Sequence, residues 1–309
     1  MELIRHDTNF DFVGKRYLAI GISWVLILIG VVSLLMKGGP SYGIDFSGGT
    51  LVQIKFAEQI SAADLRSSLG GLDLRGLTIQ QVGEQGNEFL VRVQESSENL
   101  ETLASNIQST LEQKYGTGKL EIRRTEMVGP QVGKDLRNKG AQAILFAIVG
   151  MLIYITFRFE FRFGLGAIVA TLHDVLITLG FMSLLNLEID LTVIAGFLAL
   201  VGYSVNDTVI VCDRIRENMG KMHTRPLAEI INRSVNETLS RTIMTSGLTL
   251  LSVISLYAVG GSVIHNFAFV LMVGIIVGTY SSIFVASPII LVFEKFRAGK
   301  DSVGKESAR

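Results

Sequence analysis

The sequence predicts a polytopic α-helical membrane protein with one α+β domain held outside the bilayer between its first and second spanning helices. Three observations carry that prediction. Hydrophobic residues make up 49% of the 309, and the mean hydropathy is +0.44, too apolar for an ordinary soluble domain. Six apolar runs approach or exceed the roughly 20 residues that a bilayer requires. One long stretch, 38–139, instead has a soluble composition, with strand and helix signals in the order β-α-β-β-α-β.

Charge and motif content exclude several function classes. The 28 Lys and Arg balance 28 Asp and Glu, so there is no overall basic signal for nucleic acid. Cys212 is the single cysteine, which rules out an intrachain disulfide frame and a cysteine-based zinc cluster. The four histidines are scattered, with no HExxH spacing, so no metal site is expected. A GxxxxGK[ST] loop, a strand-linked GxGxxG and a nucleophile–base constellation are all absent. The expectation is a non-enzyme without a cofactor.

Residues 1–17 are a mixed polar N-terminus ending in Lys15-Arg16. Tyr17–Met36 is longer than the apolar core of a signal peptide and is followed by Lys37-Gly38-Gly39-Pro40 rather than a small-residue exit, so it reads as an uncleaved first span, 18–36. In the soluble stretch, 37–139, Leu51–Phe56 reads as a strand, and Ser61 to Asp64 as a capping box opening a helix to Leu69. Leu77–Val82 and Glu88–Gln94 are two strands joined by a hairpin at Gly83–Asn87. Ser97 caps a second helix with an apolar stripe of Leu100, Leu103, Ala104, Ile107 and Leu111, and Leu120–Met127 is the last strand. The order is that of a ferredoxin-like sandwich. Within 140–294, spans are expected at Ala141–Phe157, Gly164–Leu185, Leu191–Cys212, Ile243–Val259 and Phe267–Phe293, with a loop at 213–240 and a tail at 295–309. Gly196, Gly202 and the Gly274-x-x-x-Gly278 pair suit close helix packing.

Basic residues set the expected orientation. Arg158 and Arg162 lie between spans two and three. Arg214, Arg216, Lys221, Arg225 and Arg233 lie between four and five, and Lys295, Arg297, Lys300, Lys305 and Arg309 follow six. The loops 186–190 and 260–266 contain neither Lys nor Arg. Both termini are therefore expected in the cytoplasm and the 37–139 domain outside.

Polar residues inside spans are the candidate functional groups. Asp207, beside Asn206, interrupts an otherwise apolar fourth span; an ionised Asp deep in a bilayer costs roughly 2.5 to 3.5 kcal/mol, so such residues usually face a bundle interior. The plainer alternative is a carboxylate wetted from the cytosol, two turns before Asp213-Arg214. Leu200, Tyr203, Ser204, Asp207 and Val211 share one helical face. Arg241, at the mouth of span five, heads a stripe of Thr245, Thr249 and Ser252. It can be an interfacial anchor, or it can reach inward to pair with Asp207, balancing desolvation of that carboxylate against charge pairing. His173-Asp174 in span three reads first as a mutually satisfied packing pair and, second, as a further proton or ion site with Asn206. Asn206-Asp207-Thr208 and Asn236-Glu237-Thr238 match a glycosylation pattern but fall in a span and a cytoplasmic loop.

Two stretches resemble a known family. Tyr42-Gly43-Ile44-Asp45-Phe46-Ser47-Gly48-Gly49-Thr50 after the first span resembles the signature of SecF, from the SecD–SecF family of bacterial protein-export membrane proteins. Gly202 to Val211, followed by Asp213-Arg214-Ile215-Arg216-Glu217-Asn218, resembles the fourth-helix motif of the same family. The resemblance implies membership of the wider RND superfamily, with the six helices forming half of a pseudo-symmetric bundle completed by SecD. It implies association with the SecYEG channel in the bacterial inner membrane. It also implies use of a proton gradient, or sodium in some members, to assist preprotein translocation after SecA has acted. The family's intramembrane Asp falls on Asp207 and its helix-five Arg on Arg241; its signature positions fall on Gly43, Asp45, Phe46, Gly48, Gly49, Asp213 and Arg214. The alternative reading is an RND-like half-transporter of a small lipophilic substrate, which would need a wide apolar outer pocket.

Overall fold

The computed structural model of the chain describes residues 9–72, 74, 76–82, 86–94 and 100–294. In order, its elements are α1 (Arg16–Met36), α2 (Ile44–Ser47), β1 (Gly49–Phe56), α3 (Ala62–Leu69), β2 (Thr78–Val82), β3 (Glu88–Val93), α4 (Leu100–Tyr115) and β4 (Leu120–Val128). These are followed by α5 (Pro130–Arg158), α6 (Phe161–Leu184), α7 (Leu191–Lys221), α8 (Leu227–Val259) and α9 (Gly261–Ser281). The last helix continues through a π-helical turn, Ser282–Ala286, to Glu294. Six helices among the described residues are long and apolar enough to cross a membrane.

The soluble stretch forms a four-stranded sheet in the order β2-β3-β1-β4, every neighbouring pair antiparallel. Alternation sets its two faces: Val52, Ile54, Phe56, Phe89 and Val91 point to one side and are buried there against Leu65 and Leu69 of α3 and Ile107 and Leu111 of α4. Each such side chain contributes about 1.5–3 kcal/mol by leaving water. Ser61 caps α3 as the sequence suggests, its hydroxyl accepting from the Asp64 amide at 3.0 Å. The cap assigned to Ser97, most of the turn at 83–85, the first eight residues and the basic tail 295–309 lie outside the described residues.

The helices differ from expectation chiefly at their ends. The second span starts at Pro130, directly after β4, rather than at Ala141. Proline suits the first helical position, where its missing N–H is not needed. The first three turns carry exposed Lys134, Asp135, Arg137, Asn138 and Lys139, which hydropathy alone cannot assign to a helix. The stretch 213–240 is not a loop. α7 and α8 run on as an antiparallel pair and only residues 222–226 connect them. Ion pairs along and between the two helices stabilise this extension: Arg214–Glu217 at 2.8 Å, Lys221–Glu217 at 2.6 Å, Arg233–Glu237 at 2.8 Å and Arg214–Glu237 at 3.1 Å. Beneath them Ile215, Ile231, Val235 and Leu239 form an apolar seam.

In the bundle, α9 packs against α6, α7 and α8, and α1 packs on α6. The α1–α6 crossing is close: a Cβ on Gly30 would stand 2.7 Å from the Gly180 Cα. At the other end, residues 10–13 lie along α8, where Asn232 Oδ1 accepts from the Phe12 and Val13 amides (2.8 and 3.2 Å) and Asn236 Oδ1 from Phe10 (2.8 Å).

Candidate functional site

Asp207 lies on the buried face of α7 with Leu200, Ser204, Thr208 and Val211, and is 0% exposed. Its Oδ2 accepts a hydrogen bond from Ser246 Oγ of α8 at 2.8 Å. Its Oδ1 has no hydrogen-bond partner among the described residues. Thr279 of α9 is a neighbour, but its hydroxyl donates to the Ile275 carbonyl at 2.8 Å. A buried carboxyl oxygen without a partner demands an explanation, since polar atoms out of water are nearly always bonded.

Arg241 does not meet Asp207. It is exposed, and its guanidinium makes no ion pair or hydrogen bond among the described residues. The reason is helical phase. The face of α8 that packs against its neighbours is Ser234, Thr238, Thr242 and Ser246, all buried. Arg241 is one residue, about 100°, off that line. The stripe headed by Arg241 exists but faces away, and its hydroxyls bond back to their own helix: Thr245 to the Arg241 carbonyl (3.0 Å), Thr249 to Thr245 (2.9 Å), Ser252 to Leu248 (3.1 Å). Asn206 also points outward and is exposed, so it joins neither Asp207 nor the histidine pair.

His173 and Asp174 do form a site. His173 Nδ1 lies 2.8 Å from Asp174 Oδ1, and Nε2 lies 2.8 Å from Ser23 Oγ of α1. Asp174 Oδ2 accepts from Ser204 Oγ of α7 (2.6 Å) and Ser281 Oγ of α9 (2.8 Å). Every member of this cluster is buried. The carboxylate thus ties α7 and α9 to α6, His173 adds α1, and the π-helical turn of the last span begins one residue after Ser281. Adjacent residues on a helix point apart, yet rotation about the His173 side-chain bonds brings its ring back to the neighbouring carboxylate, so the two side chains bond each other.

The signature after the first span is a docking joint. Gly43 donates to the Ile189 carbonyl (2.7 Å), Ile189 donates to the Ser41 carbonyl (2.8 Å), and Tyr42 pairs with Ile189 in a parallel bridge. Asp45 Oδ2 accepts from the Leu191 amide at 2.9 Å, and Asp190 Oδ1 accepts from Val193 at 2.8 Å, so two carboxylates cap the N-terminus of the helix that carries Asp207. Burial, with Asp45 nearby adding to it, pushes the Asp190 carboxyl above its ordinary value. Phe46 inserts among Met182, Val193, Phe197 and Phe269. Gly48 and Gly49 have φ of +72° and +118°, and a Cβ would stand 2.8 Å from the Pro130 Cα at the first and 2.4 Å from the Val93 carbonyl oxygen at the second. Arg92 of β3 adds a two-pronged ion pair to Glu188. Asp213 accepts from Arg216 (3.0 Å), and together with Arg214 it belongs to the α7–α8 extension rather than to the Asp207 site.

Sequence reasoning missed Ser246, Ser23 and Ser281. The recurrence Ser234, Thr238, Thr242, Ser246 is as regular as the stripe headed by Arg241, and only packing distinguishes them. Among the described residues, no group of three His, Cys, Asp or Glu side chains converges as a metal site would require.

Comparison with known proteins places this geometry. The family described as protein export membrane protein SecD/SecF, C-terminal, matches residues 107–296, and the SecD/SecF GG motif matches residues 33–60. A protein translocase subunit SecF from Calditerrivibrio nitroreducens is 46% identical over 96% of this chain and 98% of its own length. One from Magnetococcus marinus is 47% identical over 95% of each. The crystal structure of SecDF, a translocon-associated membrane protein from Thermus thermophilus, superposes with a TM-score of 0.85 at 36% identity over 95% of this chain. SecDF in its super-membrane-facing form superposes less closely, with a TM-score of 0.70 at 36% identity over 98% of the chain. The chain spans about 40% of the SecDF chains it matches. The matched family consists of membrane export components rather than enzymes. With its glycines where backbone meets backbone and near-full-length agreement with SecF subunits, this chain belongs to the SecD/SecF family of protein-export membrane proteins.

Proposed function

We propose that the chain is the SecF-type subunit of an ion-driven protein-export machine and that Asp207 takes and releases the coupling ion. The observation that carries this reading is Asp207 itself: wholly buried in the six-helix bundle, with Ser246 holding one oxygen and the other unpartnered among the described residues. A carboxyl in that setting changes its interactions sharply with protonation, because the neutral form can donate and the ionised form only accepts. Transfer of one charge through 100 mV supplies about 2.3 kcal/mol, enough to bias two packings of α7 against α8. The ion is a proton in this reading, with sodium as the variant that a carboxylate and hydroxyls also suit.

The partner is SecD, completing an RND-type bundle. Arg241 and Asn206 are polar and exposed on the sides of spanning helices, and such groups want a protein neighbour rather than lipid. Arg241 then acts across that interface instead of within this chain. The sheet domain, 37–139, is ferredoxin-like in strand order and sits on the outer side, with both termini cytoplasmic in the bacterial inner membrane. There it acts on preprotein emerging from SecYEG after SecA has driven it across. A lipophilic-substrate pump is disfavoured because the relatives that match nearly the whole chain are protein-export subunits; the outer cavity of about 710 Å³ between sheet and bundle has a mixed lining, with Glu88, Arg92 and Arg124 beside Leu51, Leu90 and Tyr257.

The test is translocation of a model preprotein into inverted membrane vesicles with SecA and ATP, with and without an imposed proton gradient. In Asp207→Asn, where the amide oxygen can still accept from Ser246, the gradient is expected to give no stimulation. Equal stimulation of wild type and variant refutes the assignment.

A further inference from the structure

The bundle contains a second titratable cluster that the Asp207 reading does not use, and hydrogen counting fixes its state. The Ala19 carbonyl can only accept, so the 2.6 Å contact commits the hydrogen of Tyr280 OH to it. Ser23 Oγ, 3.1 Å from that phenol, must then donate to it. With its own hydrogen spent, Ser23 can only accept from His173 Nε2 at 2.8 Å. Nε2 therefore carries a hydrogen. At the other end Asp174 Oδ2 accepts from Ser204 at 2.6 Å, and the single hydrogen of Ser281, which also lies 3.1 Å from the Gly278 carbonyl, goes to the shorter contact with Oδ2 at 2.8 Å. The remaining contact, Nδ1 to Oδ1 at 2.8 Å, is attractive only if one hydrogen lies between them; two facing lone pairs would repel.

We propose that the His173–Asp174 pair is a second proton-binding site of the bundle, holding one proton shared between Nδ1 and Oδ1, which leaves only when α1 moves away from α6. The pair is neutral overall in either form, imidazole with carboxylic acid or imidazolium with carboxylate. Release leaves a neutral Nε2–H imidazole and a carboxylate, with the proton passing to water admitted between the helices. While Ser23 is in place, Nε2–H is pinned and Nδ1 is the only nitrogen able to exchange a proton with Asp174. Once Ser23 withdraws, the ring is free to keep Nδ1–H and give up the Nε2 proton instead. The groups that meet the pair are Ser23 from α1, Ser204 with Asp207 one turn on from α7, and Tyr280 and Ser281 from α9. Among the described residues, no Lys or Arg pairs with Asp174. The α1–α6 contact is also fastened by the Gly30–Gly180 crossing and a Ser33–Ser183 hydrogen bond (2.9 Å), and α1 leads directly into the joint that seats the sheet domain. Movement of that domain is thereby tied to access to the proton.

This inference rests on the ion-driven reading only for its export assay. The first measurement is ¹⁵N-histidine solid-state NMR on the full chain with SecD in lipid, the His173 signals being those lost in His173→Gln; the chain has four histidines. The expected result is a protonated Nε2 and a hydrogen-bonded, proton-sharing Nδ1, with Ser23→Ala adding a population with bare Nε2. A bare Nε2 in wild type overturns the proposal. The second measurement is gradient-stimulated translocation, normalised to assembled complex. Asp174→Asn is expected to lose the stimulation, and Ser23→Ala, which leaves the pair intact, to shift its pH profile. If Asp174→Asn responds to the gradient as wild type does, the pair is a packing pin. If Asp174→Asn does not assemble, an unshifted Ser23→Ala profile overturns the proposal in its place. Loss in Asp174→Asn with full response in Asp207→Asn would instead remove Asp207 from the coupling path and leave this site standing.

Discussion

Replacing Gly49 with alanine tests whether the signature glycines are there for backbone geometry. At φ +118° an L-residue is strained by about 1–3 kcal/mol. The added Cβ would also stand 2.4 Å from the Val93 carbonyl oxygen, so β1 or β3 must shift where Thr50 is paired with Val93. Losing one ladder hydrogen bond there adds about 0.5–1.5 kcal/mol. The sum, about 1.5–4.5 kcal/mol, corresponds to roughly 12- to 1600-fold faster opening at 1.4 kcal/mol per decade. Hydrogen exchange of the lipid-embedded protein, read by mass spectrometry over 50–56 and 88–93, measures it, with α7 peptides as the internal reference. Gly38→Ala is the control: its φ is +74° but nothing lies within 4 Å of the new Cβ, so strain alone, about 1 kcal/mol, should speed opening only about fivefold. If Gly49→Ala is no worse than Gly38→Ala, the close-approach argument is wrong.

Three more outcomes are expected. Glu188→Gln should loosen the sheet domain from the bundle by about 1–3 kcal/mol because it strands the half-buried Arg92, while the double change with Arg92→Met should recover part of that in a double-mutant cycle. Asp190 has a carboxyl raised above its ordinary value of 3.8, so its protonated form favours the folded joint: the contribution is full below that ordinary value and is lost as pH rises through the raised one. Asp190→Asn, which can still accept from Val193, should flatten that dependence in the exchange of the α7 N-terminus. Asn232→Ala should release Phe12 and Val13 from α8 while Asn236 still holds Phe10, seen as faster protease cleavage near Phe12 than in wild type.

How much of this was legible in the sequence depended on which force set each feature. The membrane cores of the spans were readable because transfer from water to lipid acts residue by residue along Tyr17–Met36 or Phe267–Phe293. Their ends were not, since Lys134 to Lys139 and Asp213 to Lys221 are helical for reasons of neighbour contacts and ion pairs that hydropathy ignores. The strand and helix order of the sheet domain followed from alternation at Phe89, Val91 and Val93 and from the Ser61 cap. Asp207 was found as a buried carboxylate because its isolation among apolar residues is itself the signal. Its partner was not legible: Arg241 heads one regular polar stripe and Ser246 ends another, and the choice between them rests on a rotation of α8 that only packing with α7 and α9 supplies. The glycine-rich signature was visible as a motif, but its contacts with Ile189, Leu191 and Pro130 join positions far apart in the chain.

α7 has 31 residues and so is a rod of about 46 Å, gripped at one end by Asp45 and Asp190 and continued at the other beyond the apolar core. Such a rod is a lever. Tilting it by about 5° at the gripped end swings the far end by roughly 4 Å, most of a helical turn, with Asp207 carried part of the way. A small rocking of the sheet domain on its seat is therefore magnified across the membrane with no change in the helix's own hydrogen bonds, and motion imposed at the far end returns to the sheet domain reduced in size but increased in force.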